Sequence, residues 1–423
     1  MSQMPVRFVH ASDLHLEEPP FGVAEVPEHL KEVFVECAFW AAERLFAVVL
    51  AEQADFLVLS GDVLHPQHTG PRGPLFLAEQ FTRLAERGIA VYWAGGEADP
   101  PEAWPASVRL PDNVHRFPAQ RIERFTHRRE GKPLASVVGA SLQPGQAASW
   151  KDFAIASDGL YTIAVVHGPP ETVEGGKTLG PGAEGDLLRS ATIDYWALGG
   201  SHVRKTPISD PRIVHWPGTP QGREPGQIGP HGCTIVQVDS QGRARTTFAP
   251  CDVLRWQSER VVVDPAMSRR DLESRIVGRI EALRQSNPGV ELLVSWRVVG
   301  EGPLLAELRR GSLARSLLET LRSEHGFGSP AVWSLELTVE PPPVLPASWY
   351  EQQTILGDFL RELRRCQGDS EDPLVLEEYL SESQRAGPLA AAAVLAPGSR
   401  REEIVREAAM LGCDLLSGED PTP

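Results

Sequence analysis

Short, nearly unbroken apolar runs alternate with amphipathic ones from the start of the chain. "VRFVHAS" reads as a strand, "VECAFWAAERLFAVVLAEQ" as a helix and "ADFLVLSGD" as a strand. "PLFLAEQFTRLAERG" is a helix closed by Gly88, and "IAVYWAGG" is again a strand. Continuous apolar strands separated by helices predict a sheet covered on its faces. Further on, "ASVVGASL", "YTIAVVHG", "IDYWALGG" and "RIVHWPG" are strands with less helix between them. "CTIVQVDSQGRARTTFAP" predicts a hairpin turning at Ser240-Gln241-Gly242.

The rhythm changes after Trp256. "ERVVVD", "ELLVSWRVV" and "AVWSLELTVE" are strands separated by two helical stretches. The first of these, "SRRDLESRIVGRIEALRQS", opens on a capping box, Ser268-x-x-Asp271. This is a compact βαβαβ unit. "PPPVLP", Pro341 to Pro346, is a stiff linker. The remainder is helical or irregular, and Ile355, Leu356, Phe359, Leu360 and Leu363 form an apolar stripe at helical spacing. The expected packing of that stripe is on the protein's own cap. The breaks divide the chain into 1–257, 258–345 and 346–423.

The 423 residues exceed one ordinary core, which agrees with several domains. A net charge of −16 argues against coating nucleic acid through bulk charge, but leaves room for a local basic groove. Cys37, Cys233, Cys251, Cys366 and Cys413 are scattered and lack C-x-x-C spacing. They argue against a disulfide framework or zinc knuckle and fit a reducing compartment. No signal sequence and no bilayer-length apolar run are evident, so a soluble cytoplasmic protein with no membrane association is expected.

Candidate metal ligands stand at the ends of five strands. They are Asp13 and His15 in "ASDLH", Asp62 and His65 in "LSGDVLH", Glu97 and Asp99 in "GGEAD", His167 in "VVHG", and His202 in "LGGSH". Singly, each is more readily a turn, a strand cap or a satisfied surface residue. Their order, each after a buried strand, points to one site, because ligands of open α/β sheets bind beyond the strands' carboxyl ends. Carboxylate and imidazole together suit Mn, Fe or Zn. Arg204, Lys205 and Arg223 are placed to hold phosphates or to be solvated strand-end charges. Arg128, Arg129 and Lys132 read as a solvated basic turn.

The series D-x-H, G-D, G-x-x-D, H-G, G-x-x-H resembles the calcineurin-like metallophosphoesterases. "FVHASDLHL", "DFLVLSGDVLH", "DYWALGGSH" and "HWPGTPQGREPGQIGPHGCTIVQVD" resemble the SbcD-type DNA repair exonuclease subunits within that family. The resemblance implies an α/β fold: a β-sandwich flanked by helices, a small α+β cap and a helical C-terminal tail. It implies a metal-dependent phosphodiesterase with one or two divalent ions, Mn by expectation, one of them held by Asp13, His15, Asp62 and His202. The other would take Asp62, His167 and Glu97, which stands where the family has an asparagine. Two family histidines are replaced, one by Ala98 in "GGEAD" and one by Gly200 in "GGSH". His65 matches a second active-site histidine of some members and is the catalytic candidate. Asp99 is left as a turn acid. The expected partners are DNA, an SbcC-type coiled-coil ATPase and a second copy of the chain in a homodimer. The alternative is a catalytically impaired subunit that binds DNA or organises the ATPase. The long cap speaks against a small-molecule phosphodiesterase.

Overall fold

The computed structural model describes residues 4–66, 70–119, 121–142, 153, 155–168, 192–210, 212–340, 347–367, 373–385 and 393–416. Cys366 lies in a described helix, but its side chain is outside the description. The chain forms two compact units. The first is Met1–Gln257 with Gly289–Leu293, and the second is the remainder from Ser258.

In the first unit the expected alternation is present: β1 Val6–Ala11, α1 Lys31–Ala51, β2 Phe56–Ser60, α2 Arg72–Ala85 and β3 Ala90–Ala94. Then come β4 Val114–Arg116, β5 Glu123–Arg129, β6 Lys132–Ala140, β7 Tyr161–His167 and β8 Tyr195–Gly199. β9 Lys205–Ile208, β10 Ile213–Trp216, β11 Gly232–Val238 and β12 Ala244–Pro250 complete it. Two six-stranded sheets result, in the orders β12-β11-β1-β2-β3-β4 and β5-β6-β7-β8-β10-β9. Each has a parallel centre, β1/β2/β3/β4 in one and β6/β7/β8/β10 in the other. The hairpin at Ser240–Gly242 joins β11 and β12 as predicted, with Gly242 at a φ of 78°.

The strand period of two decides which side chains enter the core. On β7, Ile163 and Val165 face the layer between the sheets, with Phe8, Phe56, Val58 and Tyr195. Ala164 and Val166 pack in a second cluster with Trp196 and Trp216. The other face of the first sheet is covered by α1 and α2 through Phe39, Phe46, Leu77 and Phe81, packed on Leu57, Leu59 and Trp93. Because the central strands are parallel, the loops after β1, β2 and β3, and those after β7, β8 and β10, leave the same ends of their sheets. The site residues lie on these loops or, in the case of His167, at the last position of β7.

Some elements differ from the sequence expectation. β5, "ERFTHRR", is a strand paired with β6 through a Glu130–Gly131 turn, and Arg129 is held by Asp55 at 2.8 Å rather than solvated alone. Its polar outer face hid it from a hydrophobicity reading. β4 and β9 are short edge strands for the same reason. The expected strand "ERVVVD" begins earlier, as part of β13 Leu254–Val263.

β13, β14 Glu291–Gly300 and β15 Val332–Val339 form a three-stranded sheet. α3 Arg269–Ser286 opens on the Ser268/Asp271 capping box as expected. The second helical stretch is broken at Gly311, whose φ of 90° ends α4 Pro303–Arg309 before α5 Ser312–Thr320. In the tail, α6 Ile355–Gln367 turns Leu360 onto Ala409, Met410 and Cys413 of α7 Ser399–Leu416. The apolar stripe is therefore covered first by the last helix. Ile355, at its edge, stays exposed. Among the described residues no helix is long and apolar enough to cross a membrane.

Candidate metal centre

Loops from both sheets meet at one place. Asp13 and His15 follow β1, and Asp62 follows β2. The two loops run side by side, with Asp13 N–H donating to Gly61 O (2.9 Å) and His15 N–H to Asp62 O (3.0 Å). Asp13, His15 and Asp62 all adopt positive φ, at 54°, 46° and 52°. Asp and His tolerate this region better than most residues, and tertiary bonds must hold them there. The close approach also requires glycine. A Cβ on Gly61 would lie 2.4 Å from His167 Nδ1, and one on Gly96 would lie 2.3 Å from Asp62 Oδ1.

Asp13, His15 and His202 offer ligand atoms within 4.8 Å of one another. Asp13, Asp62 and His167 form a second such group, and His15, Glu18 and His65 a third. Asp13 is common to the first two, whereas Asp62 groups with Asp13 and His167 rather than with His15 and His202. Asp13 is fully buried and accepts from Ser12 Oγ (2.6 Å) and from the Gly200 N–H (3.1 Å). Burial pushes its carboxyl above the usual range, and the charge of Asp62 adds to that, against the pull of His167 and Ser12. Asp62 Oδ2 lies 3.3 Å from His167 Nε2, and Ala98 N–H donates to Oδ1 at 2.9 Å. Against the cost of burial, these contacts hold the Asp62 carboxyl below its ordinary range. Against the same cost, the Asp62 contact carries the His167 imidazole up to about 10. His167 Nδ1 is fixed on Ser60 O at 2.8 Å. His15 is driven down to about 3 by burial and by the Arg223 charge, so its ring is neutral.

These residues fit a divalent cation. Two carboxylates lie together beside neutral or proton-sharing imidazoles, an arrangement costly to bury without added positive charge. His15 Nε2 faces His202 Nε2 at 3.1 Å, so without a cation one proton must lie between two lone pairs. Gln227 Nε2 reaches His202 Nδ1 at 2.9 Å.

The other predicted residues are placed as follows. Glu97 is exposed and stands in none of the three groups. Ala98 contributes its N–H to Asp62 and no side-chain donor. Gly200, at a φ of 82°, contributes its N–H to Asp13. His65 sits behind His15, with Nε2 3.2 Å from His15 Nδ1. Arg223 is ion-paired with Glu18, and its Nε is buried with no hydrogen-bond partner. Arg204 lies over the Phe248 ring at 5.4 Å, and Lys205 over Trp216 at 4.5 Å.

Sequence reasoning missed Thr219, Gln227 and Glu18 and the role of Asp99. Asp99 is more than a turn acid: it accepts from Asp62 N, Val63 N, Gly96 N and the Trp93 indole. Thr219 donates to Asp13 O at 2.7 Å, and Gln227 holds His202. Both lie in the "PGTPQGREPGQIG" stretch, whose density of glycine and glutamine was the available signal. Glu18 had none.

A family model described as calcineurin-like phosphoesterase matches residues 6–204. "Uncharacterized metallophosphoesterase YhaO" of Bacillus subtilis (strain 168) is 30% identical over 339 residues, covering 79% of this chain and 81% of that protein. Among solved structures, "GAP50 the anchor in the inner membrane complex of Plasmodium" aligns at 13% identity over 59% of this chain and 85% of its own, with a TM-score of 0.37. Vacuolar Protein Sorting 29 from Cryptosporidium parvum aligns at 13% identity over 58% of this chain and 98% of its own, with a TM-score of 0.27.

Proposed function

The chain belongs to the calcineurin-like phosphoesterases, and from that premise we propose that it is an SbcD-like, Mn-dependent phosphodiesterase that cleaves DNA. Membership supports a metal-dependent phosphoester hydrolase. The observation that carries the further reading is the buried meeting of Asp13, His15 and His202 with Asp62 and His167. When bound, divalent ions in such a site polarise a phosphoryl oxygen and lower the pKa of water. The chain's own residues supply the rest. Asp13 and Asp62 provide the negative charge, and the Asp99 network holds Asp62 in its strained backbone. The "DLHL", "SGDVLH" and "PGTPQGR" stretches support the SbcD-like assignment, and with it DNA as substrate and an SbcC-type ATPase as partner.

A second reading is favoured by Ala98 and Gly200. Neither has a side chain that could donate a proton or bind an ion. In that reading the protein is a catalytically impaired subunit that binds DNA or organises the ATPase. Mn-dependent cleavage of end-labelled DNA by the purified protein decides between them. Cleavage abolished by Asp62→Asn supports the nuclease. No cleavage of DNA, with DNA binding retained, supports the impaired subunit.

A further inference from the structure

His15 has two faces. Its Nε2 belongs with Asp13 and His202, and its Nδ1 is turned away from them. On the Nδ1 side stand His65 Nε2 at 3.2 Å and Glu18 Oε2 at 3.6 Å. Glu18 Oε1 is 2.7 Å from His65 Nε2, and Oε2 meets the Arg223 guanidinium. One carboxylate therefore faces two imidazoles and a guanidinium.

The hydrogens order these contacts. His65 Nε2 cannot donate to Glu18 and also accept from His15. The 2.7 Å contact to a carboxylate is shorter and charge-assisted, so it takes the proton. Glu18 Oε2, at 3.6 Å and so just beyond hydrogen-bond length, is then the negative charge that faces His15 Nδ1–H. The opposite end of the chain of rings gives the same proton position. The Gln227 amide is oriented by Arg223 N–H on Oε1 (2.8 Å) and by Nε2 on Glu224 (3.1 Å). Its Nε2 must therefore donate to His202 Nδ1, His202 Nε2 carries the proton, and His15 Nε2 accepts it. Both routes leave the His15 proton on Nδ1.

We propose that Glu18 is the positioning carboxylate of this centre: it fixes the Nδ1–H form of His15, so that Nε2 offers its lone pair to a divalent cation beside Asp13. This rests on reading Asp13, His15 and His202 as an ion site. The competing arrangement, an ion held by His15, Glu18 and His65 themselves, is opposed by the guanidinium already on Glu18. Carboxylates behind ligating imidazoles contribute on the order of 10–100-fold in metal affinity.

The test is calorimetric titration of Mn(II) into the full chain and its variants, beside urea unfolding. Glu18→Gln keeps the shape and removes the charge. It is expected to weaken Mn(II) binding at least about tenfold with an unchanged urea midpoint, and the loss should persist in an Arg223→Gln background. Affinity within about twofold of the parent overturns the proposal. So does a loss that disappears in that background, since Glu18 would then merely neutralise the guanidinium. Mn(II) uptake that survives Asp13→Asn but not Glu18→Gln also overturns it, by placing the ion on Glu18. A parent chain that takes up no divalent ion overturns it as well. If Glu18→Gln does not fold, ring-nitrogen NMR of the metal-free parent decides: a His15 proton on Nε2 sinks the idea. Ion binding that depends on Glu18 in a protein that cleaves no phosphodiester would defeat the hydrolase reading and leave this one standing.

Discussion

The Asp99 carboxylate accepts the backbone N–H of Asp62 at 2.8 Å, while its second oxygen takes the N–H of Val63 at 3.2 Å. It also holds Gly96 N and the Trp93 indole, all in a site that is 2% exposed. One side chain thus ties the loop after β3 to the loop after β2 and keeps Asp62 at its positive φ. Asp99→Asn turns one acceptor into a donor that faces other donors. The expected cost is about 1–3 kcal/mol, read as a lower urea midpoint, together with weaker Mn(II) uptake because Asp62 is released. Unchanged values for both would show that the loop is held by other means.

Ala98 and Gly200 are open to repair, but unequally. The Ala98 side chain is only half-buried, so Ala98→His has room. Gly200 has a φ of 82°, and a Cβ there would lie 3.3 Å from His167 Nε2 and from Gly168. Gly200→His should therefore cost about 1–2 kcal/mol in backbone strain, while bringing an imidazole next to His167. The double variant is expected to raise Mn-dependent DNA cleavage more than either single change. General acid help is worth about 10²–10⁴ in rate, but acts only once the neighbouring ion is held. A nitrophenyl phosphodiester, whose leaving group needs no acid, should gain less from Ala98→His. Rates for the four proteins on both substrates check this, and no gain on DNA would favour the impaired subunit.

Two histidines buried between the sheets should make the fold acid-sensitive. His215 bonds with Thr206 and Thr234 at 2.7 and 2.8 Å, and burial, then the Arg204 charge, pushes it down to about 3. His10 bonds with Tyr195 and Ser60, and burial, then the nearby His215, holds it well below its ordinary value. Both folded pKa values lie below the unfolded value of about 6.5, so the unfolded chain binds more protons in between. Their contribution is complete above about 6.5 and is lost as pH falls from there through the folded value, by up to about 1.4 kcal/mol per pH unit for each ring. Urea midpoints in EDTA from pH 8 to pH 5 should fall, and His215→Gln should flatten the slope. A parallel slope in the variant would remove His215 from the account.

Among the described residues, the core clusters of the first unit draw on Val6 to Cys251. None includes a residue of the tail. A chain ended at Glu340 is therefore expected to keep the cooperative unfolding of the first unit and its Mn(II) affinity. An insoluble or non-cooperative product, beside a well-folded full chain, would place the tail within the essential core.

The strand ends were legible because each apolar run is nearly continuous and stops at glycine or a turn acid. That local rule places Asp13, His15, Asp62, His167 and His202 at the ends of sheet strands from the sequence alone. β5 escaped the same reading, since a strand with one polar face carries little apolar signal. The partners of each side chain were not legible at all. Glu18 and Arg223 are 205 positions apart, and the antiparallel pairing of β1 with β11 brings the loop after one beside the loop before the other. Tertiary structure likewise leaves Glu97 in solvent, seats Arg204 on Phe248, and, through the pairing of β2 with β3, turns Asp99 from a loop acid into the anchor of Asp62. Spacing along a chain selects the end of the sheet a residue reaches. Which atoms then share a proton or a cation depends on distances of a few ångströms between loops far apart in sequence, and those exist only after the core has closed.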